Sequence, residues 1–557
     1  MYGGRAAPRS PGLRLASPRR SRQCVWKSGR GRGRWCGREL RAQSTLRRSG
    51  HLTRAFGSRV GRGLVRGRSG LGSPLRWSEI ALAGARAGSP LLEPKKRVCF
   101  RPRGGCVSEE LRRDFKEKGI RKVKVGGFDV DGLLRGKYIS LEKLWSALDK
   151  GFGFCDVIFG WDICDQLYDN ATVTGWETGY PDALARIDAS SFRILPDAPD
   201  TAHFLVDFHT QDGGPHPACP RNLLKKVIDE ARAAGFTAKF SAEFEFWVFQ
   251  ETPDSMHSKG FRDLDPLSPG MFGYSWLRAG QHQALLDDIL DTCAEYDIEI
   301  EGIHTETGPG VWEAALRYDD VLAAADKAAL FKTTLKQICA RHDLSVTFMA
   351  KWNADLPGSS GHIHQSLWDA QEQINLFAAG GSDRLSETGR HYLGGLVTLA
   401  PELTALYSPF VNSYKRYVPG VWAPLNASWG IENRTCGSRV ILGPTDHATR
   451  IEFRQTAADI NPYIAMAACL GAGLYGIAEK IEPPAMTKGD ATSDSDPTLA
   501  LPLTLEAAVE RLRGSEVARI ALGDDFVDHF IRTRDWECRE YRKAVTDWEL
   551  RRYFEAV

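Results

Sequence analysis

The nine residues Ser241–Phe249, "SAEFEFWVF", carry the reading that decides the fold. Side chains along a strand alternate between two faces. Ala242, Phe244, Phe246 and Val248 therefore make one face apolar, and Ser241, Glu243, Glu245, Trp247 and Phe249 share the other. Two carboxylates stand on that second face, roughly 7 Å apart at the backbone on strand spacing. Like charges that close repel, and burying them without a partner is costly. A solvated edge strand would relieve them; so would a cation.

Other acidic and basic residues occur in similar patterns. In "EIEGIHTETGPGVWEAAL", Glu306 ends a strand, Gly308-Pro309-Gly310 turns the chain and Glu313 lies on the return. Such a turn brings two carboxylates together across a hairpin. In "DLPGSSGHIHQSL" a loop of small residues leads into His362 and His364, on one strand face. In "TRIEFRQ", Arg450, Glu452 and Arg454 alternate on one face, a pattern that also fits an ion-pair ladder. Carboxylate-rich clusters suit hard divalent cations such as Mg²⁺ or Mn²⁺. Neighbouring arginines suit an anionic substrate or a transferring phosphoryl group. The spacing alone points to a metal-dependent enzyme.

The chain has 557 residues, 42% hydrophobic and 26% charged, an ordinary globular composition with room for more than one domain. Its net charge of +3 conceals a division. Residues 1–108 hold 23 Arg and 3 Lys against Glu39, Glu79 and Glu93, so an acidic body follows a basic leader. The leader, residues 1–107, is rich in Arg, Gly and Ser, shows no helical or strand period, and is expected to be disordered. Its composition fits a mitochondrial transit peptide, translation upstream of a later start, or a nucleic-acid-binding arm. No stacking pattern supports the last, and no nucleic-acid partner is expected. The body is expected in the cytoplasm, or in the mitochondrial matrix if the leader is a transit peptide.

Twelve cysteines without a CxxC pair fit reduced thiols. "NPYIAMAACLGAGLYGIAEK" from Asn461 is apolar, but its Asn, Pro and small residues favour a buried helix starting at Pro462 over a membrane span. Ser108–Ile120 reads as a helix capped by Ser108, and Lys122–Ser140 as two strands joined at Asp131-Gly132. "QDGGPHPACP" (Gln211–Pro220) marks a boundary. The expected class is α+β, with a small domain over 108–210 and a larger one over 211–557.

Taken in order, these segments resemble the glutamine synthetase family. "SAEFEF" and "HTETGPGVWE" resemble its two acidic metal motifs. "GSSGHIHQSL" resembles its glycine loop and metal histidine, and "NSYKRYVPG" its glutamate-binding segment. "NRTCGSR", and "RIEFR" followed by "NPYIA", resemble its nucleotide and substrate arginines. The resemblance covers about 450 residues. It implies a β-grasp N-terminal domain, a catalytic domain on a curved antiparallel sheet, and a homo-oligomer of twelve subunits in two rings. Each site would lie between one catalytic domain and a neighbour's N-terminal domain. It implies two divalent cations per site, Mg²⁺ or Mn²⁺: Glu245, Glu306 and Glu313 would hold one, and Glu243, His362 and Glu452 the other. Gly358, Arg416, Arg434 and Arg454 match positions contacting glutamate. Glu301, His364, Ser366 and Arg439 match positions contacting ATP. The implied chemistry is phosphorylation of the glutamate γ-carboxylate by ATP, followed by attack of a nitrogen nucleophile.

The chain departs from the family at the nucleophile. "PGVWAP" places Trp422 where glutamine synthetases carry a glutamate that closes over the site and helps deprotonate ammonium. Asp162 in "GWDICD" keeps the position of an ammonium-binding aspartate, but the small residues after it are replaced. Pro357 and Val311 replace the usual Asn and Gln. The expected function is therefore ligation of glutamate to an amine, polyamine or monoamine, in preference to ammonia. Asp162, Arg434 and Trp422 are the expected catalytic group. Ordinary glutamine synthesis and a non-enzymatic structural relative are the alternatives. "EKIEPPAMTKGDATSDS" has no tyrosine to match the one that some bacterial relatives adenylylate.

Overall fold

The first helix, Val107–Lys118, starts one residue ahead of Ser108, the residue expected to cap it. Glu109 and Glu110 lie in its first turn, where they complement the helix dipole, and Leu111 and Phe115 are buried. The computed structural model describes residues 107–380, 384–493 and 496–557, so the reading of the leader lies outside the described residues save for Val107.

Among the described residues, six strands form the first sheet: β1 (Lys122–Phe128), β2 (Leu134–Ile139), β3 (Phe152–Cys155), β4 (Asp182–Ile187), β5 (Arg193–Leu195) and β6 (Ala198–His209). Their order is β2-β1-β6-β4-β3, with β5 against β6. β1 and β2 form the expected hairpin, closing Phe128 on Leu134, and Gly132 turns the chain at φ +81°. β1 runs parallel to β6, so the sheet is mixed. β6 ends at His209, and the helix Pro220–Ala233 starts at the end of the Pro/Gly-rich segment.

Nine strands form the second sheet: β7 (Phe236–Phe249), β8 (Ile300–Thr305), β9 (Val311–Leu316), β10 (Asp319–Asp320), β11 (Ser345–Thr347), β12 (Gly361–Asp369), β13 (Trp429–Ile431), β14 (Ser438–Ile441) and β15 (Arg450–Phe453). The order β13-β14-β15-β12-β7-β9-β8 makes β7 an interior strand, so the solvated-edge reading of Glu243 and Glu245 does not apply. The apolar face of β7 packs Phe244 and Phe246 on Phe331 and Phe348. The helix Pro462–Ala478 lies in the core against Pro220–Ala233, Val321–Arg341 and Glu387–Tyr407. Pro462 opens it and Asn461 caps it by accepting the Tyr463 N–H. No helix among the described residues is long and apolar enough to cross a membrane.

A buried charge network joins the layers. Arg221 reaches Asp188 and Asp207 beside the first sheet, and Asp326 on the helix Val321–Arg341, at 2.7–2.8 Å. The Tyr463 hydroxyl also donates to Asp326. With three carboxylates around one guanidinium, losing Arg221 would leave buried charge unmatched.

Candidate active site

Strand register assembles the site. Glu243 of β7 faces His362 of β12, and Glu245 faces Glu313 of β9. His364 faces Glu452 of β15, and Glu452 faces Arg439 of β14. On the far side Glu313 faces His304 of β8. One polar band thus crosses six neighbouring strands, drawn from segments as far apart in the chain as Glu243 and Glu452. The Gly-Pro-Gly turn returns Glu313 toward Glu306, whose N–H donates to the Val311 carbonyl. Gly308 cannot be replaced easily: its φ is +155°, and a Cβ would sit 2.4 Å from the Trp247 ring.

Donor atoms converge in two places. Glu243, His364 and Glu452 form one triad within 4.8 Å of one another, and His304, Glu306 and Glu313 form a second. His362 Nδ1 also lies 3.3 Å from Glu243 and 3.4 Å from Glu452, so both histidines of β12 converge on the first group. His304 was not singled out from the sequence. It enters because β8 and β9 are in register, and its ring stacks on Tyr274 at 4.2 Å between centroids. Glu245 accepts the Ser360 N–H at 2.7 Å, which ties it to the glycine loop.

The electrostatics fit a cation centre. Burial, a hydrogen bond shared with Glu243, and the charges of Glu243, Glu245 and Glu306 push the Glu313 carboxyl up to about 11. Burial raises Glu245 to about 7, with Glu306 adding to it, against the Ser360 N–H and the Arg416 charge. Burial opposes ionisation of Glu243, but hydrogen bonds from His362, His364 and Glu313 outweigh it and hold that carboxyl low. Glu452 overcomes its burial through His362, His364 and Arg454 and falls to about 2. The cluster thus keeps protons among acids that repel one another. Its oxygen-rich, imidazole-containing donor set fits divalent cations, which would take the place of those protons.

Arginines border the acids. Arg454 bonds to Glu452, and Arg439 reaches Glu452 at 2.8 Å and Glu432 at 3.1 Å. Arg416 is buried and donates to the carbonyls of Gln455 and Arg454. Gly358 packs directly on it: a Cβ there would lie 2.8 Å from both Arg416 Cβ and the Ala350 carbonyl. Trp247 donates to Ser359 at 2.6 Å and joins Phe249 and Val311 in a small apolar cluster. Val311, the departure from the family's Gln, thus serves packing here.

Two cavities flank the band. One, of about 370 Å³, is lined by Glu301, His364 and Ser366 together with Lys239, Tyr318, Trp368, His447 and Arg450. It gathers three of the four residues matched to ATP positions; Arg439 is on the neighbouring strand. Trp368 and His447, with ring centroids 5.1 Å apart, gave no sequence signal because they come from separate segments, β12 and the 3₁₀ turn Asp446–Ala448. The second is an open cleft of about 630 Å³ lined by Trp422, Arg434, Ile431, Glu432, Met486 and Lys488, among others. Trp422 is 69% exposed. Asp162 lines neither cavity. Its carboxylate accepts the N–H groups of Cys164 and Gln166 at 2.8 and 2.9 Å and the Trp536 indole N–H at 3.1 Å. Within one chain it is not brought to the acidic band.

Residues 217–553 match the family model described as glutamine synthetase, catalytic domain. The type-1 glutamine synthetase 2 of Dictyostelium discoideum is 43% identical over 439 residues, covering 78% of this chain and 84% of that one. A glutamate–isopropylamine ligase of a Pseudomonas species is 38% identical, over 80% of this chain and 97% of that one. The γ-glutamylethanolamide synthetase GlnA4 of Streptomyces coelicolor is 37% identical, with 80% and 95% covered. Among solved structures, the GmaS–ADP complex superposes with a TM-score of 0.70 at 29% identity, covering 81% of this chain and all of that one.

Proposed function

Because the chain belongs to the glutamine synthetase family and is an ATP-dependent carbon–nitrogen ligase, we propose that it joins the γ-carboxylate of glutamate to an amine in preference to ammonia. The observation that carries this is Trp422, an exposed indole at the mouth of the cleft that Arg434 lines. An indole in place of a closing carboxylate removes a partner for ammonium and supplies an apolar wall for a substituted amine. The Pseudomonas and Streptomyces relatives, named for isopropylamine and ethanolamide, support this reading. The Dictyostelium relative's name favours the second reading, plain glutamine synthesis.

In this proposal Gly358, Arg416, Arg434 and Arg454 hold glutamate, and Glu301, His364, Ser366 and Arg439 hold ATP. Glu245, Glu306 and Glu313 hold one Mg²⁺ or Mn²⁺, and Glu243, His362 and Glu452 the other; when bound, the cations offset charge on the transferring phosphoryl group. His304 and His364 stand close enough to extend these sets. Arg434 and Arg439 face the same developing charge. The amine then attacks γ-glutamyl phosphate.

An alkylamine with a pKa of about 10.4 is neutral in only about one molecule in 2,500 at pH 7, so the site needs a proton acceptor. Asp162 of a neighbouring subunit, in a ring assembly with domains at 108–210 and 211–557, is proposed for that role. The test is an amine panel scored by ATP- and glutamate-dependent phosphate release, with ammonium included. The best amine should exceed ammonium in kcat/KM by at least tenfold, and Trp422→Glu should cut that ratio. A ratio below one across the panel would restore plain glutamine synthesis.

A further inference from the structure

We infer that the amine is a monoamine with an uncharged apolar or aromatic tail, and that Lys488 selects it against diamines and polyamines. This rests on the amine-ligase reading and names the substrate class within it. The cleft beside Arg434 offers a tail three soft or apolar surfaces: the Trp422 indole, Ile431 and Met486. These give an alkyl chain or ring area to cover.

Its charges point the other way. Arg434 and Lys488 both line the cleft, and the carboxylate among its lining residues, Glu432, is already engaged by Arg439 through Nε at 3.1 Å and through Nη2. A second ammonium on the tail would find cations around it and, among the described residues of the lining, no free carboxylate. Arg434 is committed to the substrate anions in the proposed reaction, which leaves Lys488 as the charge the tail meets.

The segment carrying Lys488 is anchored on both sides. The Thr487 N–H donates to the Trp429 carbonyl at 2.9 Å. Asn433 Nδ2 donates to the Gly489 carbonyl at 2.7 Å, and Thr435 Oγ1 reaches the same carbonyl at 3.2 Å. The turn after β13 thus fixes the backbone on which Lys488 stands at the cleft. The cleft also adjoins the acidic band: Arg439 donates both to Glu432, which lines the cleft, and to Glu452 of the band. A nitrogen poised at that end would leave its substituent in the cleft.

In a partly solvated cleft a like charge a few ångströms away weakens binding by about tenfold. The experiment compares a pair matched in length, 1-aminopentane and 1,5-diaminopentane, with ammonium as reference. In the unmodified protein the monoamine should exceed the diamine about tenfold in kcat/KM. Lys488→Glu should bring the two within about threefold, mainly through the KM of the diamine, and Lys488→Gln should fall between. A diamine that matches or beats the monoamine, while both beat ammonium, would overturn the monoamine inference and leave the ligase reading standing. Ammonium outperforming both would overturn the ligase reading and the inference with it. An unchanged ratio in Lys488→Glu would overturn the role of Lys488.

Discussion

Removing Glu243 takes one carboxylate from both His362 and His364. Removing Glu306 takes one from the group it forms with His304 and Glu313. Glu243→Ala and Glu306→Ala should each lower ATP turnover at least a hundredfold, because each strips a different proposed cation position. Thermal stabilisation by Mn²⁺ should shrink in both. Either variant keeping full turnover would show that its cation position is wrongly assigned. The protons on the cluster give a second readout. Glu313 sits at about 11 and Glu245 at about 7, yet both bind a cation only when deprotonated. Mn²⁺ binding should therefore release protons and tighten as pH rises from about 6 to 8. Calorimetry in buffers of different ionisation enthalpy measures the release directly; zero protons released would contradict the proton-for-cation exchange.

At the scale of elements, the helix Pro462–Ala478 depends on one residue at its start. Asn461 accepts the Tyr463 N–H and donates to the Asp129 and Val130 carbonyls at 3.0 and 3.1 Å in the β1–β2 turn. One side chain thus caps a buried helix and joins it to the first sheet. Asn461→Ala should cost about 2 kcal/mol, combining a lost cap with two buried carbonyls left unpaired. Asn461→Asp keeps the cap acceptor but loses both donors, so it should not recover that loss; denaturant midpoints separate the cases. Such local signals were largely readable in the sequence. The alternation of Ser241–Phe249, the turn at Gly308-Pro309-Gly310 and the buried helix after Asn461 each follow from neighbours in the chain. Register does not: Glu243 and His362 are cross-strand partners although 119 residues separate them, and no local period records that. For the same reason His304 and Tyr274 went unnoticed, as did Trp368 and His447. The face of β7 that carries Glu243 and Glu245 changes character along its length: Trp247 and Phe249 pack with Val311, with Trp352 alongside.

At the scale of the whole molecule, every described element that builds the band and both cavities lies beyond Val107. A chain starting at Arg101 should keep the melting temperature and turnover of the full chain within error, and a loss of either would give the leader a structural part. Stability against pH is a property of the whole fold as well, and here two sets of groups oppose each other. Burial holds His203 at about 3, His216 at about 4 and His529 at about 3, each below the ordinary histidine value. The unfolded chain binds those protons below about pH 6.5 and the native chain does not, so each histidine's contribution is present above that pH and is lost on acidification toward 4. Asp129 at about 7 and Asp459 at about 6, both raised first by burial, act in the opposite sense: the native chain holds their protons first. The net slope between pH 4 and 6.5 is thus a difference, and a single substitution isolates one member of it. His529 is fully buried, which is the main cause of its low value, and the Arg534 charge adds to it. In His529→Phe the unfolded chain has one proton fewer to gain, so the variant's stability relative to the parent should be level above pH 7. It should rise by about 1.4 kcal/mol for each pH unit below 6.5. Urea midpoints at half-unit steps from pH 8 to 4.5 measure this; a constant difference across the range would mean that His529 gains its proton at the same pH in the native and unfolded chains.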